Sequence, residues 1–419
     1  MKKLLIILFI TCAAVPSDAQ MATIFDAHIS DSCSSRAGIT GDFSFNSTAL
    51  TTQFVSKFYN GDYIDRESKD AIMGRSRNKN RIGAEANYGF FVAVKLDSVM
   101  HKKNVHFFLS LRDRYHFDTR YSDDLFKVGF YGNAPFAGKT ANLSDFNLTY
   151  LHYQQLQLGF FSKQSDSTAR FGVAFSFLKG QQYLAILAKK AELYTSEDGQ
   201  YIDFNTSLQA AQSDTAHKGM SAFNGYGGSV DVFVEAPFNT RFGKSKIGLS
   251  VTDIGVIRYN KSSLYLNQDS LFHYTGFTIH NIYDLQDSAF AHTTTDSVKN
   301  KIAPFKKQYV SVTLPATLNL YFQTDFGKHF HLTEGVKYIY NANYNFMVYA
   351  KGSFYINNNL MLSASFGYGG YGRFNYGLGL FAHVGKGVFI YAGSNNIEGY
   401  IAQNQASGMG GYISLIKAF

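Results

Sequence analysis

Met409-Gly-Gly-Tyr-Ile-Ser-Leu-Ile-Lys-Ala-Phe419 alternates apolar with small or polar side chains and closes on an aromatic. Ile413, Leu415 and Phe419 share one face, which Lys417 interrupts. A period of two is the mark of a strand with one apolar side. The same rhythm runs through Leu318-Asn-Leu-Tyr-Phe-Gln-Thr-Asp-Phe326, where Leu318, Leu320, Phe322 and Phe326 oppose Asn319, Gln323 and Asp325. It recurs over 344–355, 360–368 and 374–383, and turn signals separate these runs: Asn357-Asn-Asn359, Gly369-Gly-Tyr-Gly372 and Gly385-Lys-Gly387. Further candidate strands at 83–96, 106–117, 147–161, 169–178, 183–194, 227–236, 246–259 and 264–278 bring the total to about 14.

The chain opens with Lys2 and Lys3, an apolar run over 4–10, and Ser17-Asp18-Ala19 ahead of Gln20. That is the layout of a secretory signal peptide over 1–19, since the run is far short of the roughly 20 apolar residues of a spanning helix. Its loss leaves Cys33 as the sole thiol and leaves no intramolecular disulfide to form. Phe 39, Tyr 29, Gly 37, Pro 5, no Trp and only 17% charged residues describe pleated aromatic strands rather than Lys/Glu-rich helices. The net charge of +8 is spread thinly, and its densest cluster, Arg75-Ser-Arg-Asn-Lys-Asn-Arg81, is short and isolated, which argues against a nucleic-acid partner.

Leader, terminal aromatic and strands of the 9 to 11 residues that a tilted membrane strand needs point together to an all-β fold: a transmembrane, outer-membrane antiparallel β-barrel. A soluble sandwich would share the alternation but not the other two features. Closure removes the sheet edges that lipid cannot satisfy. The implied partners are outer-membrane lipid and the barrel-assembly machinery, which would read Ile413, Leu415 and Phe419 as its signal.

One strand carries an argument about the lumen. His106, Ser110, Arg112, Arg114 and His116 oppose Phe107, Leu109, Leu111, Tyr115 and Phe117, with Phe108 and Asp113 as exceptions. Turning two arginines toward hydrocarbon would cost about 2–4 kcal/mol each near the midplane. His106, Arg112, Arg114 and His116 are therefore expected to face inward. There the arginines either pair with carboxylates such as Asp62, Asp65 or Glu67, or line a path that favours anions.

Residues 20–80 read differently from the barrel assigned to 81–419. Leu50, Phe54 and Phe58 sit at helical spacing, and a second helical segment follows at 65–73. These are expected to form an N-terminal plug in the lumen or a layer against the periplasmic rim. The polar stretches 280–307 and 196–220 read as long outer loops.

Chemical motifs are absent: no P-loop, no Gly-x-Ser-x-Gly, no His-Glu-x-x-His and no cysteine pair. His329-Phe-His331 puts two imidazoles on one strand face but brings no further metal ligands. Gly367-Tyr-Gly-Gly-Tyr-Gly-Arg373 lies between strands and reads as a hairpin turn. No cofactor, metal centre or catalytic set is expected, and the chain does not read as an enzyme.

Three segments carry a resemblance: Phe58-Tyr-Asn-Gly-Asp-Tyr-Ile-Asp-Arg-Glu-Ser-Lys69 with Asn80-Arg-Ile-Gly83, Leu249-Ser-Val-Thr-Asp-Ile-Gly-Val-Ile-Arg-Tyr259, and Tyr391-Ala-Gly-Ser-Asn-Asn-Ile397. Over nearly all the mature chain they resemble an uncharacterised, domain-of-unknown-function family of outer-membrane barrels, distantly related to FadL-like and PorV-type barrels. The resemblance implies a barrel and supplies no catalytic or ligand residues. The Asn-Pro-Ala motif of the FadL-like pattern does not appear near the N-terminus. The function classes that follow are a transport or channel barrel for a small or amphipathic solute, a non-conducting partner-binding barrel in surface assembly or type IX-like secretion, and, last, a lipid enzyme.

Overall fold

The computed structural model describes residues 35–99, 102–162, 169–217, 219–275 and 305–419. The leader, Cys33 and most of the 280–307 loop lie outside the described residues.

Fourteen strands form the wall: β1 Ser35–Ser47, β2 Asn80–Val99, β3 Lys102–Tyr121, β4 Phe146–Ser162, β5 Arg170–Thr195, β6 Gly225–Thr240 and β7 Gly243–Tyr259, then β8 Ala316–Phe326, β9 Phe330–Tyr340, β10 Met347–Asn357, β11 Leu360–Tyr368, β12 Phe374–His383, β13 Val388–Ser394 and β14 Gly408–Ala418. Each pairs antiparallel with the next, and β14 pairs back onto β1 from Arg36↔Ala418 to Asn46↔Gly408, so the sheet is a closed barrel.

Its two faces are inverted relative to a soluble sheet. Phe175, Phe177 and Leu378 point outward at 62%, 51% and 53% exposure, whereas Ser110, Gln155 and Gln157 point inward at 0%. An exterior of this kind is stable only against hydrocarbon, where a closed ladder gives the backbone groups partners. Both exceptions on β3 have physical reasons. Phe108 keeps the inward parity and joins a lumenal aromatic cluster. Asp113 keeps the outward parity but is buried under its neighbours, accepting from Tyr88 Oη at 2.6 Å and His152 Nε2 at 2.8 Å, with the Tyr115 ring stacked on His152.

Both described chain ends, Ser35 and Phe419, meet at one end of the barrel, where Phe419 N donates to Ser35 O. Short turns at 241–242, 327–329, 358–359 and 384–387 lie at this terminal end, and the long connections lie at the other, the loop end.

Several expectations are corrected. The barrel begins at β1, inside the segment read as a plug. β1 was hidden by small and polar residues, but Ile39, Phe43 and Phe45 do alternate with Thr40, Asp42 and Ser44. The runs at 169–178 and 183–194 are one strand, β5, whose 26 residues rise beyond the wall. There it pairs with Ile202–Gln212, part of the stretch read as loop 196–220, which in turn pairs with Leu264–Tyr274. Leu264–Tyr274 is thus a strand of this loop-end extension and not of the wall. β9 and β13 take up the count.

The two expected helices form, at α1 Thr52–Asn60 and α2 Arg66–Arg75. Thr51 caps α1 by accepting from Phe54 N at 3.2 Å, and Asp65 caps α2 by accepting from Ser68 N at 2.7 Å. They connect β1 to β2 at the loop end, away from the end where the described chain starts. Their apolar side is covered by α3, Asp123–Tyr131: Phe54 contacts Phe126 and Phe130 at ring separations of 5.7 and 5.2 Å, over a small core with Ala49, Ile72 and Tyr121.

Candidate functional site

The lumen has two unlike halves. Along β2 to β7 the inward side chains meet one another and fill the space. Near the terminal end Phe91, Phe108, Phe161, Phe381, Phe389 and Ile416 form an apolar cluster inside the barrel. His106 stacks on Phe161 at 4.9 Å, and the Arg36 and Arg170 guanidinium groups lie 5.3 and 5.8 Å from the same ring. Toward the loop end Leu151, Tyr153, Leu178, Ile257 and Tyr259 make a second cluster.

Between them runs a charged strut. Arg114 Nη1 donates to both oxygens of Asp253 at 2.6 Å, to Gln155 at 3.1 Å and, through Nε, to Asn87 at 3.0 Å. Arg112 donates to Gln157, which donates onward to Asp231 at 2.5 Å. Asp253 has φ of 62° beside a register shift in the β6–β7 ladder, and its backbone N–H donates to Asp231 at 2.7 Å. The bulge turns the Asp253 carboxylate toward Arg114, so a local irregularity of two strands sets the ion pair that ties β3 to β7.

Along β8 to β12 the inner face leaves room. A cavity of roughly 490 Å³ is bounded there by Asn319, Thr333, Lys337, Tyr349, Lys351, Ser365 and their neighbours, and across the lumen by Glu85, Arg112, Arg114 and His116. Glycines make the space. Tyr321 lies against Gly248 and Tyr349 against Gly335, where an added Cβ would come within 2.2 and 2.6 Å of the ring. The rings therefore lie along the wall, with Tyr321 Oη donating to Glu235 at 2.5 Å and Tyr349 Oη to Asn319 at 2.9 Å. At the loop end the glycine turn between β11 and β12, with Gly369 and Gly370 at φ 113° and 72°, folds Tyr371 inward over Gly83. The Tyr371 hydroxyl reaches Asp118 at 3.4 Å, and Asn343 donates to the same carboxylate at 2.6 Å.

Arg112, Arg114 and His116 line this cavity, and His106 sits deeper, in the apolar cluster at the terminal end. Arg114 pairs with a carboxylate, that of Asp253, whereas Arg112 donates to Gln157 and to the Ser110 hydroxyl; Asp65 belongs to Lys57 at 3.0 Å. Leu50, Phe54 and Phe58 belong to the helical layer at the loop end and are not among the residues that line the cavity. On β14, Ile413 and Leu415 point outward, and Lys417 reaches the Lys386 carbonyl in a terminal-end turn. His331 pairs with Asp325, and His329 with the Tyr355 carbonyl. No cluster of three or more metal-ligating side chains occurs among the described residues. Asp231 and Glu235 were missed, though Ser229-Val-Asp-Val-Phe-Val-Glu235 alternates cleanly and puts both on the inner face.

The chain belongs to a family of unknown function, DUF5723, whose pattern matches residues 37–395. No curated protein matches it in sequence. Among solved structures it is similar to a deletion mutant of the TodX monoaromatic hydrocarbon channel, at 11% identity, 97% and 96% coverage of the two chains and a TM-score of 0.48. It is similar also to the toluene transporter TbuX of Ralstonia pickettii (8% identity, 92% and 90% coverage, TM-score 0.40) and to a FadL homologue of Pseudomonas aeruginosa (10% identity, 91% and 89% coverage, TM-score 0.41). The fold described above rests on the strand pairing of this chain itself.

Proposed function

We propose that this protein is an outer-membrane transport barrel that admits a small or amphipathic solute through the hollow side of its lumen, with the loop end facing outward. The observation that carries this reading is the cavity against β8 to β12. It is of the size that ligand sites of small molecules commonly have, and tyrosine, methionine and serine side chains line it beside nine charged ones. A barrel serving only as a scaffold has no need to keep one side of its interior open while filling the other. Short turns at the terminal end and long connections at the loop end support the orientation.

Liposome swelling and single-channel recording of the purified barrel test the reading. Solute-dependent swelling and discrete conductance steps are expected. A barrel that inserts, shows heat-modifiable mobility and passes neither ions nor small solutes would contradict it and return the partner-binding alternative. The same reading has the outward Ile413, Leu415 and the terminal Phe419 serve the assembly machinery. Deletion of Phe419 should then sharply lower the heat-modifiable form in outer membranes, and undiminished assembly would remove that role.

A further inference from the structure

Tyrosine dominates the aromatic lining of the cavity. Among the described residues that bound it are nine tyrosines and two phenylalanines, although the chain has more phenylalanine than tyrosine, 39 against 29. Strand register lays three of these rings along the wall. Across β7 to β11 one row of paired residues reads Gly248, Tyr321, Gly335, Tyr349, Gly367, so that each tyrosine stands between two glycines. A second row, on β12 to β14, reads Gly379, Gly393, Tyr412. In all three cases the ring lies across the glycine of the preceding strand, where an added Cβ at Gly248, Gly335 or Gly393 would fall 2.2, 2.6 or 2.6 Å from it. Tyr321, Tyr349 and Tyr412 are nonetheless only half-buried, so each ring presents surface to the cavity as well as to the wall.

Amide and hydroxyl groups stand among the rings on the same inward rows: Asn319, Gln323, Thr333, Ser353, Ser363 and Ser365. A hydrocarbon seated on the rings would take water from these groups and return no hydrogen bond, which is costly for any polar group. A pyranose satisfies both kinds of surface. One of its faces is a set of C–H bonds, whose positive ends suit the negative face of an aromatic ring, and its rim is made of hydroxyls that both donate and accept. Tyr321 and Tyr349 are two strands apart, about 10 Å across the sheet. One ligand therefore covers both only if it has more than one sugar ring.

We infer that the hollow side of the lumen binds neutral oligosaccharides, stacked on Tyr321 and Tyr349 and held at their rims by the amides and hydroxyls around these rings. Passage of the sugar rests on the transport reading; binding does not. The test is calorimetric titration of the folded barrel with a panel of neutral di- and trisaccharides of glucose, galactose, mannose and N-acetylglucosamine. Toluene and a polyethylene glycol of matching length serve as controls, and single channels are recorded in the same solutes. The expected results are saturable binding of at least one saccharide, tighter than that of its monosaccharide, no saturable binding of either control, and brief interruptions of current while the sugar is bound. Tyr321→Ala/Tyr349→Ala should weaken sugar binding roughly ten-fold or more, whereas Tyr321→Phe/Tyr349→Phe, which keeps both rings, should stay within about three-fold of wild type. Saturable binding of toluene but of no saccharide, or unchanged sugar affinity in a folded alanine pair, overturns the inference. Should the alanine pair fail to fold, the wild-type comparison of saccharides with toluene and glycol decides by itself. A barrel that binds sugar and never conducts upholds the site and refutes transport. One that conducts and binds no saccharide refutes the site and leaves transport standing, and one that does neither refutes both.

Discussion

The two sides of this lumen are made from the same kind of strand and end in opposite states. On β3 to β7 the inward rows carry long side chains that reach one another, Arg112 with Gln157 and Arg114 with Asp253, and aromatic rings that close the space above and, together with Phe381, Phe389 and Ile416 of β12 to β14, below. On β9 to β12 the inward rows carry Thr333, Gly335, Ser363, Ser365, Gly377 and Gly379, and large rings are laid along the wall instead of across it. Among the described residues, side-chain length on the inner face decides where the lumen is filled and where it is open.

The largest effect is expected from cutting the strut. Arg114→Ala leaves Asp253 as a buried carboxylate without its cation, and losing one partner of such a pair costs about 3–5 kcal/mol. Denaturant unfolding of the detergent-folded barrel should show that loss, whereas Ser365→Ala on the hollow wall should stay within about 0.5 kcal/mol. Equal effects would mean that the two halves are not mechanically distinct.

Phe161→Ala comes next. It removes a fully buried ring from the lumenal cluster at the terminal end, next to His106 and two guanidinium groups, at a cost of about 3 kcal/mol. It should also open a second path, seen as larger or noisier conductance steps. Unaltered steps in a destabilised variant would show that the cluster supports the wall without sealing it.

The smallest effect is expected outside the lumen. The Asp65 carboxylate is held well below the usual range by the Ser68 backbone N–H and by the Lys57 ammonium. Because the folded-state pKa is depressed, its contribution to α2 is complete above the ordinary aspartate pKa and fades as pH falls through the lowered value. Asp65→Asn should raise amide exchange in α2 at neutral pH, with the difference from wild type shrinking in strong acid, and conductance should not change. A conductance change would reinstate the helices as a plug.

The sequence pattern shows the second half of the barrel well because its strands bury one face against nothing but lipid, so alternation is almost undisturbed from Leu318 to His383. It shows the first half less well for reasons visible in particular residues. Ser35–Ser47 carries glycine and serine where other strands carry rings, and β5 runs through Gly180 and a bulge near Gln181 that mimic a turn. The amphipathic character of α1 announces that Phe54 is covered, but the covering rings, Phe126 and Phe130, arrive more than seventy residues later and only the fold brings them there. The inward direction of Arg112 and Arg114 follows from period two alone. Their partners do not, since Asp253 reaches Arg114 through a bulge that leaves no mark on the hydrophobic pattern.

The central claim, that one side of the lumen is open to water and the other is packed, is tested most directly by cysteine accessibility during recording. In a Cys33→Ser background, single cysteines at Ser365 on the hollow wall and at Ser110 on the packed side would be exposed to a charged, water-soluble thiol reagent while conductance is followed. Rapid modification at 365 with a fall in conductance, and no modification at 110, is the predicted result. Modification at 110, or inertness at 365 in a conducting barrel, would contradict it.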